Sequence, residues 1–580
     1  MTFIVPLLLL AADPLNTTAE VTGWKQTGRY DEVERLCAAF PKRFPGKVKC
    51  EQFGVTPEGR KMLALIASAD GTFEPLANVK KKRPVVLLEG GIHAGEIDGK
   101  DAGFWLMREL LDGKLSPGLL GRVTWVFVPV FNVDGHERFG AFGRPNQNGP
   151  EAMGWRTTGQ NLNLNRDWVK ADAPEMQAML KLLLKYDPIL FGDLHVTDGA
   201  KFQPDLAVTI EPRFSGAENL KILGLELSES LQKELKEKGH LPLDFYPSFV
   251  KDDEPLWGFA YGVAPPRFSN SYWALHHRFG VLVETHSWKD YATRVKATFD
   301  ASLLMLEHAA TQGGAWRKAA EEAEAADLKL GGEELPLAYD NSKATRPLEF
   351  QGYAFTQEDS PVSGKKWLKY DEEVPQVWKE PFFYEVVPTL KGRVPKAGWL
   401  VLPAQAAVVG EKLKAHGFKF EAVAANHLNA TVQAFRVTAA KFRPGPYEGR
   451  LTVTVKGEWK DEPRDVSKGT LFVPSTQAHV ALLLQLLEPV APDSLMSWGF
   501  FDAQLESKEY MEDYVTEAVA RELLKDPKVM TEFNARLKDP EFFKSSEARL
   551  GFFYARHPSY DERLNLYPIY RIDSPLVPPR

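Results

Sequence analysis

The sequence predicts an α/β domain, a sheet covered by helices on both faces, followed by a smaller mixed α/β domain and a helical tail. Three observations carry that prediction. Between Tyr30 and about Glu307, apolar runs of strand length alternate with helical stretches. From about Arg346 the pattern changes to stepwise apolar/polar alternation punctuated by Pro and Gly. After Ser507 it becomes mostly helical again, before a Pro-rich end.

The elements follow in chain order. Phe3 to Ala12 is an apolar run too short to span a bilayer and of the size of a secretory signal core, although no basic residue precedes it. Cys37 and Cys50, the only cysteines, fall on a predicted helix and the strand after it. They suit either a disulfide in an oxidising compartment or two buried thiols, and neither has the Cys-x-x-Cys spacing of a metal site. Met62–Ile66, Val85–Leu88, Val123–Val128, Ile189–Phe191 and Val281–Val283 are continuous enough to be strands buried on both faces. Ala102, Leu106 and Leu110, with Met107 and Leu111, form the apolar stripe of a helix behind the second of these. Asp172 to Tyr186 reads as another helix, with Pro174 and Glu175 at its start. Residues 317–336, rich in Ala, Glu and Lys and containing Gly331-Gly332, read as a solvated helix and linker. Leu451–Val455 and Thr470–Pro474 are strands of the second domain.

Bulk properties exclude several functions. The 580 residues exceed a single core, and 44% hydrophobic with 26% charged residues is an ordinary globular balance. A net charge of -7 leaves no basic footprint for nucleic acid. A mean hydropathy of -0.29 argues against stable membrane insertion.

The chemistry lies where buried runs end in polar residues. Val85–Leu88 leads through Gly90-Gly91 to His93-Ala-Gly-Glu96, predicted at the start of the next helix. His195 closes the strand that begins at Ile189, and Glu284 closes the one that begins at Phe279. In an open α/β sheet the carboxyl ends of strands are where ligands bind. Two imidazoles and a carboxylate are a zinc donor set, and a further carboxylate can act as base on water. His276-His277 find no matching ligand in the sequence and are read as surface or supporting residues.

These residues resemble the zinc carboxypeptidases of the carboxypeptidase A type. The matches run in chain order through Thr56-Pro-Glu-Gly-Arg60, His93-Ala-Gly-Glu96, Phe131-Asn-Val-Asp-Gly135, Asn163-Leu-Asn-Arg-Asp-Trp168, His195 and Glu284, over about the first 310 residues. The resemblance implies a mixed, mostly parallel sheet, one Zn2+ ion held by His93, Glu96 and His195, and Glu284 as general base and proton donor. It further implies that Asn165 and Arg166 hold the free C-terminal carboxylate of a peptide substrate, a task suited to a planar guanidinium. Arg156, nine residues before Asn165, is assigned to the scissile carbonyl, with Arg144 as the competing choice. Arg60 and Tyr272 complete the expected substrate contacts, although Tyr272 lies unusually close to Glu284. Where many relatives place an aspartate behind a zinc-bound histidine, this chain has Asn163, a weaker orienting partner.

The resulting expectation is a zinc metallocarboxypeptidase, exported to the periplasm or beyond. Its parts are a signal peptide or unstructured N-terminus (1–18), a catalytic domain (19–312), a helical linker (313–345) and an accessory region (346–580). A zinc amidase or endopeptidase acting on cell-wall peptides, and a non-catalytic binding protein, are the competing functions.

Overall fold

The computed structural model describes residues 13–252 and 254–576. The apolar run read as a signal core lies outside them.

The main sheet is built from β1 (Val48–Val55), β2 (Lys61–Ala67), β3 (Val85–Gly90), β4 (Thr124–Val128), β5 (Leu190–Val196), β6 (Leu206–Glu211), β7 (Pro242–Leu243) and β9 (Phe279–Thr285). The short β8 (Phe259–Ala260) pairs elsewhere. The strand order is β1-β2-β4-β3-β5-β9-β6-β7. The pairings β4-β3, β3-β5 and β5-β9 at its centre are parallel, and antiparallel pairs flank them. Every residue of β3, β4 and β5 is buried, which is why these segments read as unbroken apolar runs.

Helices pack on both faces. Tyr30–Arg43 and Asp98–Leu111 bury apolar stripes, and Pro174–Tyr186 starts with its proline at the first turn, where a missing N–H costs nothing. The helix behind β3 begins at Asp98, so His93 and Glu96 lie in the turn before it rather than in its first turn. That turn is closed by the Glu96 N–H to the His93 carbonyl at 2.8 Å, and Gly91 ahead of it has φ +68°, a conformation that a side chain would strain. Cys37, on the first of these helices, and Cys50, on β1, are joined in a disulfide.

The reading of residues 317–336 as a solvated helix and linker is corrected. Tyr291–Asp327 is one helix of 37 residues, and Trp316, Ala319, Ala320 and Ala323 in its last turns are buried against the core. Its small alanines allow close packing, which composition alone read as exposure. Glu334–Asn341 is then a strand paired with Val386–Arg393.

The C-terminal half is more sheet-rich than expected. Thr345–Asp359 and Lys366–Phe383 form a long hairpin whose second strand pairs with β8, tying it to the first half. Phe202, Phe245, Phe259, Phe350, Trp378 and Phe382 form a separate aromatic core at that junction. A six-stranded sheet follows, built around Gly398–Val401, His427–Phe442 and Val453–Val466. Four short helices occupy 513–554, after which Ile569–Ile572 returns to that sheet.

Candidate active site

Parallel pairing of β5 and β9 places His195 directly opposite Glu284. The neighbouring strand β3 delivers the His93–Glu96 turn to the same edge. His93 Nδ1 lies 2.9 Å from Glu96 Oε1, and His195 Nδ1 lies 2.9 Å from Glu96 Oε2. One ligand atom from each of the three residues falls within 4.8 Å of the others, and all three side chains are buried.

The opposite ring nitrogens are held from behind. His93 Nε2 meets Asn163 Oδ1 at 3.1 Å, and His195 Nε2 meets Asp193 Oδ2 at 2.9 Å. The His93 ring is thereby fixed with Nδ1 toward the shared carboxylate, while Asp193 backs the His195 ring as an ion-pair neighbour. Asp193 went unnoticed in the sequence, although its position two residues before His195 on a strand puts both on one face. Ser269 Oγ donates to Asp193 at 2.6 Å.

Residues present here fit a divalent cation. Glu96, Glu284 and Asp193 bring three buried carboxylates around two imidazoles, and Glu284 Oε2 has no hydrogen-bond partner. Burying such a group without compensation is costly, and a cation removes the cost. Two nitrogens and one carboxylate oxygen are a catalytic zinc set with a position left open. Burial holds His93 down at about 4, so its imidazole is neutral and free to ligate. His195 is held well above its usual range because, against burial, Asp193, Glu284 and Glu96 favour its charged form. Glu284 is pushed up to about 8, first by burial and then by Glu96 and Asp193, while His195 and Arg144 oppose the rise. Its proton therefore comes on and off close to neutrality, as a group that takes up a proton and later gives it back requires.

The four residues open into a cleft of about 640 Å³, whose wall also carries Arg144, Arg156, Asn165, Arg166 and Tyr246. Arg144 is buried and contacts Glu96 Oε1 at 2.8 Å, whereas Arg156 stands 3.6 Å from the same atom with its side chain 36% exposed. The more accessible Arg156 can turn toward a bound carbonyl. Arg144 also donates to the Val196 carbonyl at 3.3 Å, which ties it to the end of β5. Asn165 Oδ1 is buried without a partner, and Arg166 lies over the Phe268 ring at 4.3 Å.

Two expected substrate contacts are corrected. Arg60 is engaged by Glu58 and by Asp134 at 2.6 Å and does not line the cleft, so it braces the 56–60 turn instead. Tyr272 is buried, with its hydroxyl 2.9 Å from His416 Nδ1. It sits on the inward face of the helix Ser269–Ala274, which points it into the core. Tyr246 lines the cleft instead, 41% exposed, and the charge of Glu284 raises its phenol well above the ordinary value, so it stays protonated at neutrality. It lies on a loop without periodicity, so the sequence offered no signal for it. Arg294 is fully buried against Asp98, which also accepts from Thr285 Oγ1 at 2.8 Å, so this pair stiffens the chain directly after Glu284.

Residues 33–238 match the family model described as zinc carboxypeptidase. The match includes every proposed ligand and clamp residue and stops short of Glu284, which the fold supplies from β9. Carboxypeptidase 2 of Trichophyton rubrum is 23% identical over 483 residues, covering 76% of this chain and 78% of that protein. The inactive metallocarboxypeptidase ecm14 of Schizosaccharomyces pombe is 30% identical over 125 residues, 20% of this chain and 24% of that one. Among solved structures, the carboxypeptidase A of Helicoverpa armigera aligns at 18% identity and a TM-score of 0.36, covering 51% of this chain and 74% of that chain. Over residues 33–238 the chain thus carries a zinc carboxypeptidase domain, and over most of its length it is similar to a protein named carboxypeptidase 2.

Proposed function

We propose that this chain removes the C-terminal residue of peptides. The observation that carries the reading is that Asn165 and Arg166 line the same cleft as His93, Glu96, His195 and Glu284. A fixed cation beside a hydrolytic centre selects substrates that end in a carboxylate at that distance. An endopeptidase or amidase has no use for such a stop.

His93, Glu96 and His195 would hold one zinc ion, which supplies Lewis acidity and lowers the pKa of water. Glu284 accepts the proton that the attacking water gives up and later donates it to the leaving amine. Arg156 faces the oxygen that becomes negative, an interaction worth about 3 kcal/mol for one donor in comparable sites. Asn165 and Arg166 fix the terminal carboxylate so that only the last bond reaches Glu284. Tyr246, a protonated phenol on the cleft wall, has a proton to donate to the bound peptide.

The Cys37–Cys50 disulfide favours an oxidising compartment and supports export. Among the described residues no helix is long and apolar enough to cross a membrane.

The reading is tested on blocked dipeptides with free or amidated C-termini, comparing wild type with Glu284→Gln while metal content is measured. The expected result is cleavage of free carboxylates alone, lost in the variant by about 10²-fold or more with its metal retained. Equal cleavage of amidated peptides would favour the endopeptidase or amidase reading. No turnover by a metal-loaded wild type on any peptide would favour a binding protein.

A further inference from the structure

A second group of donors lies away from the cleft, where the first half of the chain meets the second. His277 precedes β9, Asp327 ends the helix Tyr291–Asp327, and His479 precedes the helix Val480–Leu487. One ligand atom from each lies within 4.8 Å of the other two, and among the described residues only this group and the catalytic one meet that condition. We infer that His277, Asp327 and His479 form a second site for a divalent transition-metal ion, with zinc the best fit, which pins the C-terminal half to the catalytic domain.

The local geometry repeats what is seen in the cleft. There, each imidazole is drawn against the carboxylate at the place a cation would take. Here His277 Nε2 lies 2.7 Å from Asp327 Oδ2, and the backbone N–H of His479 reaches the same oxygen at 2.6 Å. Two imidazoles with one carboxylate suit zinc better than the oxygen-seeking magnesium or calcium.

Electrostatics point the same way. Asp327 is 4% exposed and is the last residue of a 37-residue helix, so its negative charge is both buried and set at the negative end of the helix dipole. A cation relieves both penalties. The neighbouring guanidinium of Arg278 is already taken up by Asp187 and Glu324 and does not serve Asp327.

The histidines also carry unspent capacity. His277 is 7% exposed, and its Nδ1 has no hydrogen-bond partner; His479 Nδ1 is likewise buried and unpartnered. Both residues adopt left-handed backbone, φ 57° for His277 and 64° for His479, which non-glycine residues enter at a cost. A hydrogen-bonded cap on the helix end would account for the His277–Asp327 contact alone, but not for the second imidazole, His479, placed beside the same carboxylate with its Nδ1 idle.

The test is a metal count on the full chain, saturated with zinc, desalted into metal-free buffer and measured by mass spectrometry. Wild type should retain two equivalents and His93→Ala one. His479→Asn, chosen because asparagine tolerates left-handed backbone, should also retain one. The double variant His93→Ala/His479→Asn should retain none. His277→Asn gives a second, independent removal, so a folding defect in either variant, seen by circular dichroism, leaves the count readable in the other. The proposal is overturned if His93→Ala holds no zinc, or if one equivalent survives in His93→Ala combined with either asparagine variant. Failure of the catalytic reading looks different: His93→Ala would then leave the count unchanged while His479→Asn lowered it.

Discussion

Tyr447, in the C-terminal half, accepts the Nε hydrogen bond of Arg166 at 3.1 Å. Arg166 is therefore held from three sides: by Tyr447, by the Asn165 carbonyl at 2.7 Å and by the face of Phe268. Tyr447 is itself fixed, stacked on Trp498 with rings 5.9 Å apart and nearly parallel. The following residue, Glu448, accepts the Asn163 N–H at 2.9 Å, so one loop of the second half supports both the clamp and the partner of His93.

Removing that hydroxyl should loosen the clamp without touching the chemistry. For Tyr447→Phe the expected change is a rise in KM of about threefold to tenfold on free-carboxylate substrates, the scale of one hydrogen bond. The kcat should be nearly unchanged. Steady-state kinetics decide it, and an equal fall in kcat would show that Tyr447 acts on the reacting bond instead.

Asn163 sets the strength of the hold on His93. Replacing its amide by a carboxylate makes Nε2 of that ring a better-supported donor, so Asn163→Asp should tighten zinc binding by about tenfold and Asn163→Ala should weaken it by about 10- to 100-fold. Competition against a chelator of known affinity measures both. Glu448 opposes the Asp variant by like charge, so adding Glu448→Gln should enlarge its gain.

Gly280 lets β9 approach the helix that carries Tyr272. A Cβ there would lie 2.2 Å from the Asn270 carbonyl oxygen, which belongs to the backbone and cannot swing away. Gly280→Ala should destabilise the fold by about 1–3 kcal/mol, seen as a lower midpoint in denaturant. Because the strain enters β9, activity should fall at temperatures where the variant is still folded.

His240 links the loop before β6 to the long helix through Asp205 at 2.7 Å and Asp300 at 3.1 Å. Burial alone would lower its pKa, but these two carboxylates outweigh it and raise it to about 9. The folded value lies above the ordinary 6.5, so the charged ring stabilises fully below that value, and the contribution fades as pH rises through 9. Wild type should therefore have a higher Tm than His240→Gln at about pH 6, with the gap closing toward about pH 10. A gap that widened with pH would contradict the pairing.

The strands were legible because their burial is nearly complete. Val85–Leu88, Ile189–Phe191 and Val281–Val283 have few polar interruptions, and each leads to a candidate site residue, so His93, His195 and Glu284 stood out in one dimension. The fate of the polar residues beside them was not legible. Arg60 and Tyr272 have the right types in the right order, but one faces Asp134 and the other faces His416, and a side chain's direction depends on partners distant in sequence. Alanine-rich residues 317–327 misled for a related reason, since small residues serve exposure and tight packing equally well.

Sequence alone determined which residues are candidate donors and their order along the chain, because strand burial and the turn at Gly90-Gly91 are local demands that leave periodic traces. Only the tertiary structure decided which groups complete the site. Asp193 behind His195, Tyr246 on the cleft wall, Tyr447 under Arg166 and His479 beside His277 are brought together by sheet register and by packing of the second half on the first. The contacts of Asn163, Arg166 and His277 with that half span hundreds of residues, and no local pattern encodes a distance of that kind.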